Sequence, residues 1–354
     1  MSRGDFLWTE RGLQCLELNM ASLLGGWECA AWAEDHLEVP FFRRFLDEAD
    51  LTLRVRGTLE AMLTRVFEDS APLATPGGEI VAVALIDPEA VLVAADHPFC
   101  SELARLWSEI PAARGWRGPA HFEALPADRL EAREGRLFWQ GRRIHAVIEL
   151  LHGLTPPQVL RPWLAQGLRL YNGPLTQLLG DKRCLALLSE QASIPDDDSV
   201  LEAGEQELVR RLVPWTRRVV PGPVDFEGET LSCADLLRLG KDRLVLKHSR
   251  SLSGNDVYVG TDTPEALWRE ACAGALRSGS WVMQELLASL PFPFQDEERG
   301  IVPATVIWGL FGFGGSYGGC FTRAVPQGGK RVVNASKGAR DGVCFEAHRA
   351  SAAS

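Results

Sequence analysis

Two short segments at the head of this chain mix polar and apolar positions as strands do: Asp5-Phe6-Leu7-Trp8, and Leu16-Glu17-Leu18-Asn19, which alternates strictly. A period of two marks strands with one buried face. Glu10-Arg11-Gly12 lies between them, so residues 1–25 read as an antiparallel hairpin closing at Gly25-Gly26. From 27 to 67 the period turns helical, with Leu51, Val55, Leu59, Met62, Leu63 and Val66 three or four apart. Residues 70–79 form a loop, and 79–86 is a buried-strand run ended by Asp87-Pro88. A second apolar run covers 91–95, and 101–110 predicts a helix capped by Ser101. After a Gly/Pro-rich stretch at 111–120, residues 137–140 and 143–150 predict a hairpin turning at Gly141-Arg142.

In the second half, Tyr171-Asn172-Gly173-Pro174 is a turn, and 175–191 is amphipathic with Gly180-Asp181-Lys182 near its start. Residues 195–199 read as an acidic surface loop and 214–223 as irregular. A short helix is expected over 231–239, then a strand at 243–247, a Ser/Gly loop at 249–255 and a strand at 256–260. Residues 264–277 predict a helix capped by Thr263, and 280–287 a strand running into a connector. The rest is glycine-rich strand and loop. Strands alternating with helices predict an α/β (α+β) protein, with a small α/β domain in its first half.

Composition narrows the function. The 354 residues suffice for two or three domains. A net charge of −10 argues against nucleic acid as the main partner. The eight cysteines are scattered without a C-x-x-C pair, which argues against zinc and a disulfide framework and for a reducing cytosol. Asp5, Glu10 and Arg11 interrupt any leader-like start, and the longest apolar stretch, 301–313, is broken by Pro303, Gly309 and Gly312. The expectation is a cytoplasmic protein without a membrane partner.

Four segments carry candidate chemistry. On the hairpin, Glu17 and Asn19 share a face, with Asp5 able to sit opposite and Arg3 beside it. Two carboxylates and an amide oxygen suit Mg²⁺ held against phosphates; the alternative is a solvated hairpin face, and spacing alone does not separate the two. In 243–260 a strand ends at Lys247. The loop after it offers the hydroxyls of Ser249, Ser251 and Ser253, the charge of Arg250, and Gly254 for close backbone approach. It is neither a Walker A loop nor a dinucleotide fingerprint, and the alternative is an ordinary hairpin turn. In 281–287 an apolar strand meets Gln284-Glu285 and then Leu286. That pattern suits an adenine pocket with backbone donors, or a strand with a solvated end. Lys182 opens a helix and gains meaning only if it shares a cleft with Lys247.

Together these segments resemble the circularly permuted ATP-grasp ligases, the group that includes the amide-forming domain of glutathionylspermidine synthase. The resemblance runs from Arg3 to about Gly338. It rests on R-G-D at Arg3–Asp5, E-L-N at Glu17–Asn19, Asp181-Lys182 followed by Leu185, Leu187 and Leu188, Lys247 to Gly254, Gln284-Glu285, and Gly319 to Arg323 followed by Val332-Val333-Asn334. It implies a circularly permuted ATP-grasp fold with a small pre-ATP-grasp α/β domain. The metal-binding hairpin would be 1–25, the α/β domain 26–172, and the nucleotide-binding lobe with the core strands 173–354. Asp5, Glu17 and Asn19 would hold one or two Mg²⁺ ions. Lys182, Lys247, Ser249, Ser251, Ser253, Gly254, Gln284, Glu285 and Leu286 would bind ATP. Arg3 and Arg323 would face the γ-phosphate as catalytic groups.

The activity so implied is ATP-dependent amide formation between a small-molecule or peptide carboxylate and an amine, through an acyl phosphate, as in peptide-like natural-product assembly. A homodimer is compatible with it. A non-catalytic nucleotide binder and a kinase that stops at phosphoryl transfer are the other readings. Two departures stand out. The loop opens Lys247-His248-Ser249-Arg250 instead of lysine-proline, and Glu149 stands where the family often has arginine.

Overall fold

Ile80–Leu85 is apolar at every position because both of its faces are covered. In a computed structural model describing residues 1–21, 24–87, 98–151, 154–251, 256–296, 299–328, 333 and 338–349, this strand is central to a four-stranded parallel sheet. It lies between Ala120–Leu125 and Ala146–Glu149, with Arg169–Tyr171 at the edge. Ile80, Ala82 and Ala84 pack with residues of helices Thr58–Ser70 and Pro98–Ala113. Val81, Val83 and Leu85 pack on the other side with Leu137, Ile144 and Val159. The run at 91–95 lies outside the described residues.

Several expectations shift here. Leu51–Arg54 is a strand, not helix, and pairs antiparallel with Glu346–Arg349. Asp50 at φ 52° breaks the preceding helix, and Leu-Thr-Leu-Arg then alternates at strand period. The helix at 98–113 starts at Pro98, so Ser101 lies inside it instead of capping it; proline is pre-set for a first turn. The 137–150 hairpin is shorter than expected. Gln140 and Gly141, at φ 48° and 78°, form its turn between Arg136–Trp139 and Arg142–Ile144. Two positive φ values match the twist of a tight hairpin. His145 then breaks the run, and Ala146–Glu149 joins the parallel sheet.

The amino-terminal hairpin is present as strands Ser2–Thr9 and Gly12–Asn19. It does not stand alone. Ser2–Thr9 also pairs along the 14-residue strand Gly300–Phe313, which pairs in turn with Ser316–Pro326, and that strand with Arg340–Val343. Phe292–Asp296 adds to the same antiparallel sheet.

A second antiparallel sheet orders its strands Thr216–Arg218, Trp281–Glu285, Leu244–His248 and Val257–Val259. Its even positions (Leu244, Leu246) and Met283 pack under helices Cys233–Leu239 and Glu265–Ser278 around Trp268. Val245, Lys247 and Gln284 therefore point to the opposite face. The stretch expected to be irregular, 214–223, supplies the edge strand of this sheet. Thr263 does not cap the following helix; its hydroxyl donates to the Val259 carbonyl at 2.7 Å, and Pro264 precedes Glu265–Ser278. Among the described residues no helix is long and apolar enough to cross a membrane.

Candidate functional site

The polar face of the second sheet and the hairpin face of the first enclose a cleft of about 1250 Å³. Alternation puts Arg3, Asp5 and Leu7 on its wall, and register continues the same face through Thr305 and Ile307 to Phe321, Arg323 and Val325. Arg3 lies opposite Asn19, and Asp5 opposite Glu17. A β-bulge after Asp5 leaves Leu16 as the extra residue, and bulges re-aim the backbone locally. The Leu16 carbonyl accepts a hydrogen bond from Lys247 Nζ at 3.2 Å. This contact joins the two walls.

The hairpin residues neutralise one another. Arg3 donates to both Asp5 oxygens, at 2.7 and 2.9 Å, and to the Gly25 carbonyl at 2.7 Å. Asn19 donates to Asp5 at 3.1 Å. Arg3 lies 5.2 Å from the centroid of the Phe321 ring, and Arg323 lies 5.0 Å from the same centroid, each a favourable cation–π arrangement. Gly309 makes room for that ring: a Cβ there would sit 2.0 Å from it. Arg323 is also held by Asp341, its cross-strand partner, at 2.7 Å.

Lys182 opens the helix Lys182–Gln191 because Asp181 caps it, accepting from the Arg183 backbone N–H. Burial would raise the Asp181 carboxyl, but hydrogen bonds from Arg183 and Arg250 outweigh it and hold it down at about 2. The cap aims Lys182 Nζ at Glu17, 3.0 Å away, and at the Ser251 carbonyl, 2.7 Å away. From the facing strand Lys247 donates to Gln284 at 2.7 Å, and Gln284 donates to Thr216 at 3.0 Å. Burial pushes the Lys247 ammonium down from 10.5 to about 8, with Glu17 pulling up and Lys182 pushing down. Lys182 and Lys247 thus share a cleft, the condition under which Lys182 acquires meaning.

Arg3, Asp5, Glu17, Asn19, Lys182, Lys247, Ser251, Gln284, Glu285, Leu286 and Arg323 all line this cleft. Ser249 is buried beneath it, and its backbone ties Lys182 to Ser280, so it braces the loop. Ser253 and Gly254 lie outside the described residues, as do Val332 and Asn334. Two residues are committed differently from expectation. The Leu286 N–H bonds back to the Arg243 carbonyl at 2.7 Å, inside the sheet. The Glu285 carboxylate takes the Trp215 N–H at 2.8 Å and Arg11 of the hairpin turn at 2.7 Å. Leu287 and Ala288, the next residues of the connector, also line the cleft.

The apolar wall of Leu16, Val245, Val257, Val259 and Leu287 was not singled out from sequence. Neither were Phe321 and Asp341; only the strand register brings them to the cationic groups. Glu149 lies elsewhere, buried at the carboxyl end of the parallel sheet. Burial raises its pKa, while the Thr155 hydroxyl, donating to it, works the other way.

Asp5, Glu17 and Asn19 offer hard oxygen donors from three adjoining positions, a set that fits a divalent cation of the Mg²⁺ kind. Among the described residues no group of three or more His, Cys, Asp or Glu side chains is placed to hold a metal; this set is two carboxylates and an amide. No protein-family model matches the chain, and no curated protein matches it either.

Proposed function

We propose that this chain is an ATP-dependent carboxylate–amine ligase of the circularly permuted ATP-grasp kind. One observation carries the reading: two buried lysines from one antiparallel sheet and its adjoining helix meet two carboxylates and an arginine from another, across a single cleft. The order of the chain supports the permutation. The hairpin bearing the carboxylates comes first, yet it pairs with Gly300–Phe313 near the end.

Lys182 and Lys247 neutralise the α- and β-phosphates, and the apolar wall from Val245 to Leu287 takes the base. Asp5, Glu17 and Asn19 would hold one or two Mg²⁺ ions, which when bound neutralise charge on the β- and γ-phosphates. The pairs Arg3–Asp5 and Lys182–Glu17 are then an exchange device. Carboxylates that engage a cation release an arginine and a lysine to the phosphates. Arg3 and Arg323, both on Phe321, face the γ-phosphate. A substrate carboxylate attacks the γ-phosphorus, giving an acyl phosphate and ADP. An amine then attacks the acyl carbon, and phosphate leaves. Catalysis of this kind rests on positioning and electrostatics and needs no nucleophilic side chain.

The test is ADP release across panels of carboxylic acids and amines, with mass spectrometry of the product. A ligase shows ADP release that requires an amine and an amide product. Turnover without amine marks a kinase, and ATP binding without turnover marks a non-catalytic binder. Glu17→Gln and Asp5→Asn are expected to lower turnover at least a hundredfold with unfolding midpoints near wild type. Retained turnover in both would remove the cation site from the mechanism.

A further inference from the structure

Phe321 lies opposite Val343 in the antiparallel ladder between Ser316–Pro326 and Arg340–Val343. The ladder ends there, and continuing its register by one residue on each side brings Cys320 opposite Cys344. Directly opposed residues in such a ladder have Cα atoms about 4.5–5.5 Å apart, inside the span a disulfide bridges. The Cys320 thiol donates to the Phe321 carbonyl at 3.4 Å, the two thiols lie close enough to bias each other's ionisation, and both are half-buried. Of the other six cysteines, Cys15, Cys29, Cys100, Cys233 and Cys272 are buried and Cys184 stands apart on another element.

We propose that Cys320 and Cys344 form a redox-modification site, a dithiol that peroxide converts reversibly to a cross-strand disulfide. The pair divides its labour. The neighbouring Cys320 lowers the Cys344 pKa, while Cys344 and burial raise that of Cys320. Cys344, the readier of the two to ionise, attacks one oxygen of hydrogen peroxide as its thiolate. The O–O bond breaks, Cys344 becomes a sulfenic acid, and the departing hydroxide takes up a proton as water. The Cys320 sulfur then displaces the sulfenic oxygen as a second water, carrying the Cys320 proton, and the S–S bond forms. The bond would fasten the end of Arg340–Val343 covalently to the long sheet, three pairs from Arg323–Asp341.

The purified chain is treated with hydrogen peroxide, alkylated and mapped by mass spectrometry. The expected result is loss of two hydrogens from the intact mass and a dithiothreitol-sensitive link joining the peptides that hold Cys320 and Cys344. In Cys320→Ser the sulfenic acid is stranded and dimedone labels Cys344; in Cys344→Ser no link forms. Alkylation of both cysteines after peroxide treatment, or a link that survives in Cys344→Ser, would overturn the proposal. If either variant fails to fold, the wild-type peptide map alone decides between these results.

Discussion

Lys247 is a cation nine-tenths buried at the wall of the cleft, and its charge is held by few groups. Its ordinary ammonium value of 10.5 falls to about 8 through burial. The unfolded chain therefore holds more protons than the folded one between pH 8 and 10.5, and stability rises with pH across that window. A shift of this size corresponds to about 3 kcal/mol at most. Denaturant titrations at pH 7.5 and 10.5 are expected to show the gain in wild type and not in Lys247→Met; equal gains in both would place the titration elsewhere. The same fall has a consequence for ligand binding. An ammonium that empties near pH 8 stops attracting phosphate above it, so ATP affinity is expected to weaken by about tenfold between pH 7 and 9. Lys247→Arg keeps its charge and should bind with a flat profile, as read by calorimetry. Arg3 is placed differently: its guanidinium is saturated by Asp5, Gly25 and the Phe321 ring. It is the residue whose partners must change before it can serve a ligand.

At the scale of elements, two local choices aim the site. Asp181 caps the helix that presents Lys182. Asp181→Ala is expected to cost about 1–2 kcal/mol, the range of a lost N-cap. Its carboxyl is held down at about 2, so the stability it gives is complete above the ordinary carboxylate range and is lost as pH falls through about 2. Acid unfolding curves of the variant should lack that limb. Gly309 is the other choice. Because a Cβ would meet Phe321 at 2.0 Å, Gly309→Ala is expected to destabilise by about 1–3 kcal/mol as overpacking does. An unchanged urea midpoint would mean the ring does not lie there. The hairpin was legible because Leu16 to Asn19 alternates and a turn at Glu10-Arg11-Gly12 separates it from the apolar run after Asp5. Ile80–Leu85 was legible because it is apolar throughout. Thr216–Arg218 was not, since Trp-Thr-Arg-Arg after a proline shows no period, and only pairing with Trp281–Glu285 makes it a strand. Leu51–Arg54 was hidden because Leu51, Val55 and Leu59 fit a helical spacing by coincidence. Phe321 and Asp341 could not be tied to the cleft without knowing that Gly309 faces the one and Arg323 the other.

Across the whole molecule, distant parts of the sequence are stitched together at both ends of the described chain. Glu346–Arg349 pairs with Leu51–Arg54, and Asp341 holds Arg323. A chain cut after Gly338 is expected to unfold several degrees earlier in a thermal melt and to lose nucleotide affinity through Arg323; an unaltered melt would show that these strands contribute nothing. The register of Ser2–Thr9 against Gly300–Phe313 has another outcome. Ser2 faces Gly312, so a ribosome adding about 5–20 residues per second needs roughly 15–60 s between making the one and making the other. Throughout that interval one edge of the hairpin is unsatisfied and open to any passing strand. Charged side chains on an edge discourage such pairing, and here they are Arg3 and Asp5. The residues proposed to handle phosphate in the finished protein would first serve as guards for a nascent chain waiting for its partner.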